Sequence, residues 1–298
     1  MARVRLHEVL SVAIMAALEA GAYIRSRVHE AKQVTVKTSL ADVVTDVDPA
    51  CERMIRGHIA ARFPDHKVLG EETTAPGSDA AATATAQVSD EAALWVIDPL
   101  DGTTNFVAGI PLSVVSIGFA ERGTVKVGVI YDPYRDELFM AREGSGASVC
   151  SSEEARVFVA ADDPTASLPG QTLRSSTHTE LQESIVATGF PYRSAAREQL
   201  TAAGLQLARK VKNLRALGAA ALHLAYVAAG RIDGFWEYDL NAWDLAAGAC
   251  LVQEAGGTIR TVTGQPFDLN TRDVIASGEK ALATAIQSHI AQAGETPA

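Results

Sequence analysis

The stretch 95–106 constrains this chain most, because it joins a strand-like apolar run to a group of polar side chains. It reads Trp-Val-Ile-Asp-Pro-Leu-Asp-Gly-Thr-Thr-Asn-Phe, an apolar run that ends in a turn signal. In open α/β sheets, ligands bind at the carboxyl ends of the strands. We therefore expect a functional site where this run ends.

Two carboxylates close together make this turn a candidate metal site. Asp98 and Asp101 are three positions apart, so both side chains and the carbonyl of Leu100 could face one hard cation. Gly102 allows a ligand to approach the backbone, and its amide and that of Thr103 could face an anion if a helix begins there. An Asp-Pro-x-Asp-Gly string is equally typical of an ordinary turn. The residues alone leave both interpretations open.

The charge balance restricts which partners the chain can bind. Its 298 residues are 47% hydrophobic and 21% charged, which suits a globular protein with a large core. With 26 basic and 36 acidic residues, the net charge is −10, so direct contact with nucleic acid is not expected. An anionic substrate would need a cation between it and the protein, such as Mg²⁺ held by carboxylates. The three cysteines have no CxxC spacing and fit a reducing cytoplasm.

The amino-terminal segment imitates a signal peptide in its order of charges. Arg3 and Arg5 precede an apolar run over residues 9–18. Its apolar residues recur at helical spacing, however, and Glu8 and Glu19 interrupt the pattern. We therefore predict an amphipathic first helix. No run reaches the roughly 18 uninterrupted apolar residues of a membrane span, so no membrane partner is expected.

The remaining pattern predicts a mixed α/β or α+β protein. Helices are expected over residues 50–62, 198–211, 219–229 and 242–254, and antiparallel strands over 113–121, 124–131 and 137–142. Residues 73–93 contain almost no large apolar side chains, and we predict a surface-loop insert without a catalytic role. Polar residues and proline accumulate over residues 151–169, which predicts that two sub-domains meet there.

Several acids outside the turn have an ordinary structural explanation. Asp48 lies where a helix cap is expected, and Asp244 lies in the first turn of the helix that Asn241 would cap. Glu71 and Glu72 end a short strand, where a solvated charged pair is common. From the residues alone, these structural interpretations are preferred to functional ones.

Two separate motifs resemble the signatures of the inositol monophosphatase family. The first is the stretch 95–106, and the second is Trp-Asp-Leu-Ala-Ala-Gly at 243–248, followed by Glu-Ala-Gly-Gly at 254–257. The resemblance covers nearly the whole chain, apart from residues 73–93 and the last dozen. It implies a layered αβαβα sugar-phosphatase fold in one domain over residues 1–298, often assembled as a homodimer.

The resemblance also implies roles for individual residues. The implied metal ligands, for two or three Mg²⁺ ions, are Glu71, Asp98, the carbonyl of Leu100, Asp101 and Asp244. Glu71, Thr103 and Asp48 would orient the attacking water, and Lys37 and Asp42 would belong to a mobile loop that reaches the metals. The implied substrate contacts are Asp101, Gly102, Thr103, Ala220, Glu237 and Asp244.

Two positions depart from the residues common in bacterial relatives. Ala219 stands where these relatives often have Ser, and His223 stands where they often have Asp. A lone histidine on an alanine-rich helix is more often packed or exposed than a ligand. The metal ligands are unaffected, but the shape of the pocket stays open.

The activity implied by the resemblance is hydrolysis of a phosphate monoester by metal-activated water, without a phosphoenzyme. The expected protein is a cytoplasmic, lithium-sensitive inositol-phosphate phosphatase acting on inositol 1-phosphate or a similar small polyol phosphate. An alternative keeps this chemistry on histidinol phosphate, fructose 1,6-bisphosphate or a 3′-phosphoadenosine nucleotide. Another is a mainly protein-binding role in a transcription or ribosomal-RNA assembly, because some relatives act there.

Overall fold

The computed structural model describes residues 2–30, 33–39, 42–191 and 194–295, and within them helices alternate with strands. The helices are α1 (Ala2–Arg27), α2 (Val47–Arg62), α3 (Ser78–Val88), α4 (Thr103–Ala108), α5 (Ser152–Ala161), α6 (Ser194–Ala208), α7 (Ala220–Ala228), α8 (Ala242–Glu254) and α9 (Lys280–Glu295). The strands are β1 (Val34–Ser39), β2 (Asp42–Thr45), β3 (Lys67–Gly70), β4 (Leu94–Asp101), β5 (Val114–Glu121), β6 (Thr124–Asp132), β7 (Glu137–Arg142), β8 (Ala147–Cys150), β9 (Gln171–Thr172), β10 (Ile185–Thr188), β11 (Asn213–Arg215), β12 (Gly234–Glu237), β13 (Thr258–Thr261) and β14 (Val274–Ser277).

The larger sheet has seven strands in the order β3-β4-β5-β6-β7-β8-β9. Strands β3 and β4 are parallel, and the remaining neighbours are antiparallel. Every residue of β4 is buried, as its unbroken apolar run predicts. The antiparallel strands predicted between residues 113 and 142 are confirmed.

Strand β5 shows how this sheet supports a helical layer on each face. Val115, Ile117 and Phe119 pack into a core shared with α1 and α2. Val114 packs with α7 and α8, and the hydroxyl of Ser116 donates to the carbonyl of Trp243 on α8 at 3.2 Å. Successive side chains of a strand point to opposite faces, so the sheet lies between these two helix pairs.

The smaller sheet has five strands in the order β11-β10-β12-β14-β13. One face packs on the core of α7 and α8 through residues such as Phe235 and Ala276. The other face, including Trp236 and Ile275, packs against α6 and α9. The layers therefore follow one another as α, β, α, β and α, which buries an apolar face of each element.

Helix α1 is a core helix of this arrangement. Its segment Leu6–Arg27 is long and apolar enough to span a membrane by length and composition alone. However, 56% of its most apolar window is buried in the protein, and residues such as Val9, Ile14 and Ala17 are fully enclosed. The predicted first helix is confirmed.

The segment 73–93 is not a loop, because it contains helix α3. Alanine is the strongest helix former, and Ala81 and Thr85 give this helix a buried side although it lacks large apolar residues.

The sub-domain boundary predicted over residues 151–169 is not where the two sheets separate. These residues contain α5, which begins with a capping box between Ser151 and Glu154. The larger sheet ends only at Thr172, and the smaller begins at Ile185.

Candidate active site

A pocket of about 530 Å³ opens where strand ends meet helix starts. The carboxyl ends of β4 and β12, the residue after β3 and the first turns of α7 and α8 contribute to its wall. Strand β1 and the residues leading into α3 complete it. This is the edge at which the sequence predicts a site.

Three aspartates meet in this pocket. Asp98 and Asp101 lie at the end of β4, and Asp244 lies in the first turn of α8. Each offers a carboxylate oxygen, and these three atoms lie within 4.8 Å of one another. Asp98 is 1% exposed and Asp101 is 8% exposed. Within the described part of the chain, no basic side chain forms an ion pair with any of the three.

Electrostatics favour a cation at this cluster. Burial, followed by repulsion from Glu71 and the other two aspartates, raises the pKa of Asp98 well above its usual range. Burial and Asp101 likewise raise the pKa of Asp244. The pKa of Asp101 rises to about 7 by burial, against the effect of backbone amides, one of which is the Ala221 N–H at 2.7 Å. Closely spaced carboxylate oxygens are the donor set that Mg²⁺ prefers, so these residues fit the implied metal.

Glu71 stands apart from the group of three. It directly follows β3, and one of its oxygens accepts a hydrogen bond from Nζ of Lys37 at 2.8 Å. The same ammonium donates to Glu72 at 2.8 Å, and the two glutamates outweigh the effect of burial and raise the pKa of Lys37. Burial and Glu71 raise the pKa of Glu72 to about 7. Glu71 is thus near the aspartates but bound to a basic side chain.

The residues implied to form a loop lie instead on a β-hairpin. Lys37 is part of β1, and Asp42 begins β2, with which β1 pairs antiparallel. Alternating Val and Thr residues favour a strand here. The side chain of Asp42 and residues 40–41 lie outside what the structure describes.

Thr103 and Asp48, two of the residues that the resemblance implies orient the attacking water, form a hydrogen-bonded pair. The hydroxyl of Thr103 lies 2.9 Å from Oδ1 of Asp48 and 3.1 Å from the carbonyl oxygen of Leu100. The other oxygen of Asp48 accepts from the backbone N–H of Thr45 at 2.9 Å and also from its hydroxyl. Asp48 therefore has both its predicted position at a helix start and a contact with the pocket residue Thr103.

Gly102 forms the junction between β4 and α4. Its φ of +92° is left-handed, and a Cβ there would lie 2.8 Å from the carbonyl oxygen of Leu112. Only glycine fits this conformation without strain. The turn brings the amides of Gly102 and Thr103 to the start of α4, where backbone N–H groups lack partners within the helix.

Ala220 and Glu237 also line the pocket, close to the aspartates. Glu237 ends β12, and burial followed by Asp244 and Asp101 raises its pKa well above the usual range. Ala219 also lines the pocket, whereas His223 packs 4.8 Å from the ring of Phe235, centre to centre. Burial lowers the pKa of His223 to about 3. This histidine is packed, as one of the two sequence interpretations predicts.

Ser78, Asp239 and Arg272 are polar pocket residues that the sequence did not point to. Ser78 begins α3, Asp239 follows β12, and Arg272 precedes β14. The Pro-Gly-Ser-Asp string before an alanine-rich run is a helix-start signal that could have located Ser78. No local pattern links Arg272 to Asp239, because they are far apart along the chain.

The sequence profile of the inositol monophosphatase family matches residues 5–295. The chain belongs to this family. Inositol monophosphatase 2 of Solanum lycopersicum is 40% identical over 275 residues, which cover 91% of this chain and 94% of that relative. Nus factor SuhB of Escherichia coli K12 is 37% identical over 281 residues, with coverages of 92% and 93%. The solved structure of a Thermotoga maritima IMPase has a TM-score of 0.80 and 29% identity, and the match covers 97% of this chain and 98% of that one.

Membership of the inositol monophosphatase family confirms two predictions. The protein has the layered sugar-phosphatase fold. It is a phosphomonoester hydrolase of a metal-dependent family that acts on small phosphate esters. The acidic cluster could bind a metal ion.

Proposed function

We propose that this protein hydrolyses inositol 1-phosphate, or a similar small polyol phosphate, in a Mg²⁺-dependent reaction. The supporting observation is the meeting of Asp98, Asp101 and Asp244 within 4.8 Å in a pocket of about 530 Å³. Three carboxylates at this spacing repel one another strongly unless a cation lies between them. The same cation would allow an anionic ester to enter an acidic pocket.

Two or three Mg²⁺ ions would be held by the three aspartates and the carbonyl of Leu100, with Glu71 joining when Lys37 moves away. When bound, the metal polarises the phosphoryl group, activates water and neutralises the leaving alkoxide. This contribution is needed, because unaided phosphate monoester hydrolysis requires accelerations of up to about 10²¹. A general base alone supplies only about 10²–10⁴.

Thr103 and Asp48 would orient the attacking water. The Thr103 hydroxyl has one proton and two acceptors, and it would donate to the nearer and charged one, the Asp48 carboxylate at 2.9 Å, in preference to the Leu100 carbonyl at 3.1 Å. The lone pairs of the Thr103 oxygen then remain to accept a hydrogen bond from water. Glu71, the first residue after β3, would accept a second one. The water would in this way be held with its oxygen toward the phosphorus.

The substrate would lie across the pocket from the metal ligands to β12. The amides of Gly102 and Thr103 would hold phosphate oxygens, and Asp101 and Asp244 would contact the alcohol as well as the metal. Glu237 would bind hydroxyl groups, for which a carboxyl group is suited in either protonation state. Ala220 offers a small side chain beside them, and this combination favours a polyol.

The most direct test of function is phosphate release from a panel of esters, with and without Mg²⁺. The panel contains inositol 1-phosphate, histidinol phosphate, fructose 1,6-bisphosphate and a 3′-phosphoadenosine nucleotide. We expect the highest Mg²⁺-dependent rate with inositol 1-phosphate. In D98N and D244N the rate should fall below about a tenth of wild type, because each removes a metal ligand.

The matched control is D233N. Asp233 is also buried but lies outside the pocket, where it accepts from His178 and from the amide of Ile185. Its activity should stay near wild type. Equal rates in D98N and D233N would contradict the proposal.

A second candidate is a mainly protein-binding role. The identity of 37% to a protein named Nus factor SuhB supports it. A folded wild-type protein that releases no phosphate from any ester in Mg²⁺ would favour this role. Lithium inhibition, a homodimer and a cytoplasmic location remain predictions from the family resemblance. They can be tested by lithium titration, sedimentation and fractionation.

A further inference from the structure

Arg272 joins three segments at the edge of the pocket. Its Nη2 donates to Oδ1 of Asp239 at 2.7 Å and to the hydroxyl oxygen of Ser78 at 2.6 Å. Its Nη1 donates to the side-chain oxygen of Asn241 at 2.8 Å. The guanidinium group thus connects α3, the residues after β12 and the residue that precedes α8. Such a planar fork fixes several acceptors at once.

Asn241 connects Arg272 to Asp244 through hydrogen bonds. The backbone N–H of Asn241 donates to Oδ2 of Asp244 at 2.6 Å, and the N–H of Asp244 donates to the carbonyl of Asn241 at 3.2 Å. Within the described part of the chain, no hydrogen bond reaches Oδ1 of Asp244. Fixing Asn241 therefore fixes the rotation of this carboxylate and leaves one oxygen for the cluster.

We infer that Arg272 is a positioning residue for Asp244, and that it acts through Asn241 while Asp239 and Ser78 hold it in place. This inference rests on the proposed function, in which Asp244 is a metal ligand. It also gives the segment 73–93 a part in the active site, because Ser78 begins α3. Neither point was expected from the sequence.

The ion pair that Arg272 forms is consistent with a role in positioning Asp244. Its ion pair with Asp239 is largely shielded from water, with side chains 22% and 11% exposed. An unpaired arginine beside three aspartates would compete with a divalent cation for their oxygens. Because Arg272 pairs with Asp239 and not with the aspartates of the cluster, it leaves their oxygens open to a cation while it supplies hydrogen-bond geometry.

The test is Mg²⁺ titration of the metal-free full-length protein by calorimetry, with no substrate present. Loss of a residue that orients a metal ligand typically weakens metal affinity by about 10–100-fold. We expect the Kd for Mg²⁺ to rise at least about tenfold in R272Q. R272K should not restore the affinity, because one ammonium cannot reproduce the fork. The control is R260Q, since Arg260 bonds Thr284 outside the pocket, and its Kd should match wild type.

A double-mutant cycle separates positioning from general destabilisation. N241A keeps the backbone N–H that holds Asp244, but it removes the side-chain oxygen that accepts from Arg272 and that caps the N–H of Asp244. If Arg272 acts through Asn241, the double variant should weaken Mg²⁺ binding by less than the two single variants do together. S78A removes only one contact of the guanidinium group, so it provides a milder variant if R272Q does not fold. Its Kd should rise about two- to fivefold.

The outcomes distinguish this inference from the proposed function. No Mg²⁺ binding by wild-type protein overturns both. Wild-type binding with an unchanged Kd in folded R272Q or S78A overturns the role of Arg272 alone. Additive losses in R272Q and N241A would also overturn it, because they would show that the two residues act independently.

Discussion

Replacing Asp98 by asparagine should stabilise the metal-free protein while removing its response to Mg²⁺. The substitution keeps the size of the side chain and removes one charge from the cluster. Asn can still accept the bond that Oδ1 of Asp98 receives from the backbone N–H of Leu100 at 3.0 Å. The main change is therefore the loss of repulsion.

The size of the effect follows from the spacing. Two unit charges 4.8 Å apart repel by about 3.5 kcal/mol at an effective dielectric constant of 20. Because burial raises the pKa of Asp101 to about 7, this group is partly protonated near neutral pH, which reduces the repulsion. We expect D98N to gain about 1–3 kcal/mol in free energy of unfolding, or roughly 2–8 °C in Tm.

The assay is thermal unfolding followed by circular dichroism, in EDTA and in saturating Mg²⁺. At 100 times its Kd, a ligand stabilises the folded state by about 2.7 kcal/mol. The Tm of wild type should therefore rise when Mg²⁺ is added. The Tm of D98N should not change, although it should be the higher of the two in EDTA. The reasoning is refuted if D98N unfolds at or below the wild-type Tm in EDTA, or if it retains the shift with Mg²⁺.

D233N again provides the matched control. Asp233 is 6% exposed and accepts hydrogen bonds from His178 and from the N–H of Ile185. Its replacement should lower the Tm, because a buried charged hydrogen bond is lost. The shift with Mg²⁺ should remain.

Three further predictions follow from the same electrostatics and packing. Because the pKa of Asp101 is raised to about 7, the native state binds more protons than the unfolded state. The free energy of unfolding of the metal-free protein should therefore fall as the pH rises from 4 to about 7. Urea unfolding in which this free energy increases over that range would contradict the prediction. In G189A, a Cβ 2.2 Å from the Glu237 carboxylate should turn that side chain away and raise the KM for inositol 1-phosphate about tenfold, with p-nitrophenyl phosphate hydrolysis unchanged. An unchanged KM for inositol 1-phosphate in G189A would count against a role of Glu237 in substrate binding. In K37M, Glu71 loses the ammonium 2.8 Å away, so calorimetry should show Mg²⁺ binding several-fold tighter; equal or weaker binding would contradict the idea that Lys37 competes with the metal.

The local structural explanations of Asp244 and Asp48 were correct but incomplete. The explanation of Glu71 and Glu72 as a solvated pair was wrong, because both bond the ammonium of Lys37 and the side chain of Glu72 is 8% exposed. Asp244 does lie in the first turn of α8, where it accepts from the N–H of Asn241, and Asp48 lies in the first turn of α2, where it accepts from the N–H of Thr45. The same carboxylates also reach the pocket or its residue Thr103. Spacing along the chain shows only the first role, because the second depends on elements that are far apart in sequence. The family resemblance supplied that connection.

Other features could not be read from the sequence, because tertiary contacts decide them. Helix α3 has few large apolar residues, yet burial of Ala81 and Thr85 gives it a packed side. The ion pair between Lys37 and Glu71 depends on a hairpin meeting the end of β3. Arg272 likewise meets its partners only in the folded protein.

The central claim is that the three aspartates bind a divalent cation together. Its most direct test is an anomalous difference map from crystals soaked in Mn²⁺, a scattering substitute for Mg²⁺. We predict a peak within about 2.5 Å of carboxylate oxygens of Asp98, Asp101 and Asp244. A well-ordered pocket without such a peak, or a peak elsewhere in the molecule only, would contradict the claim.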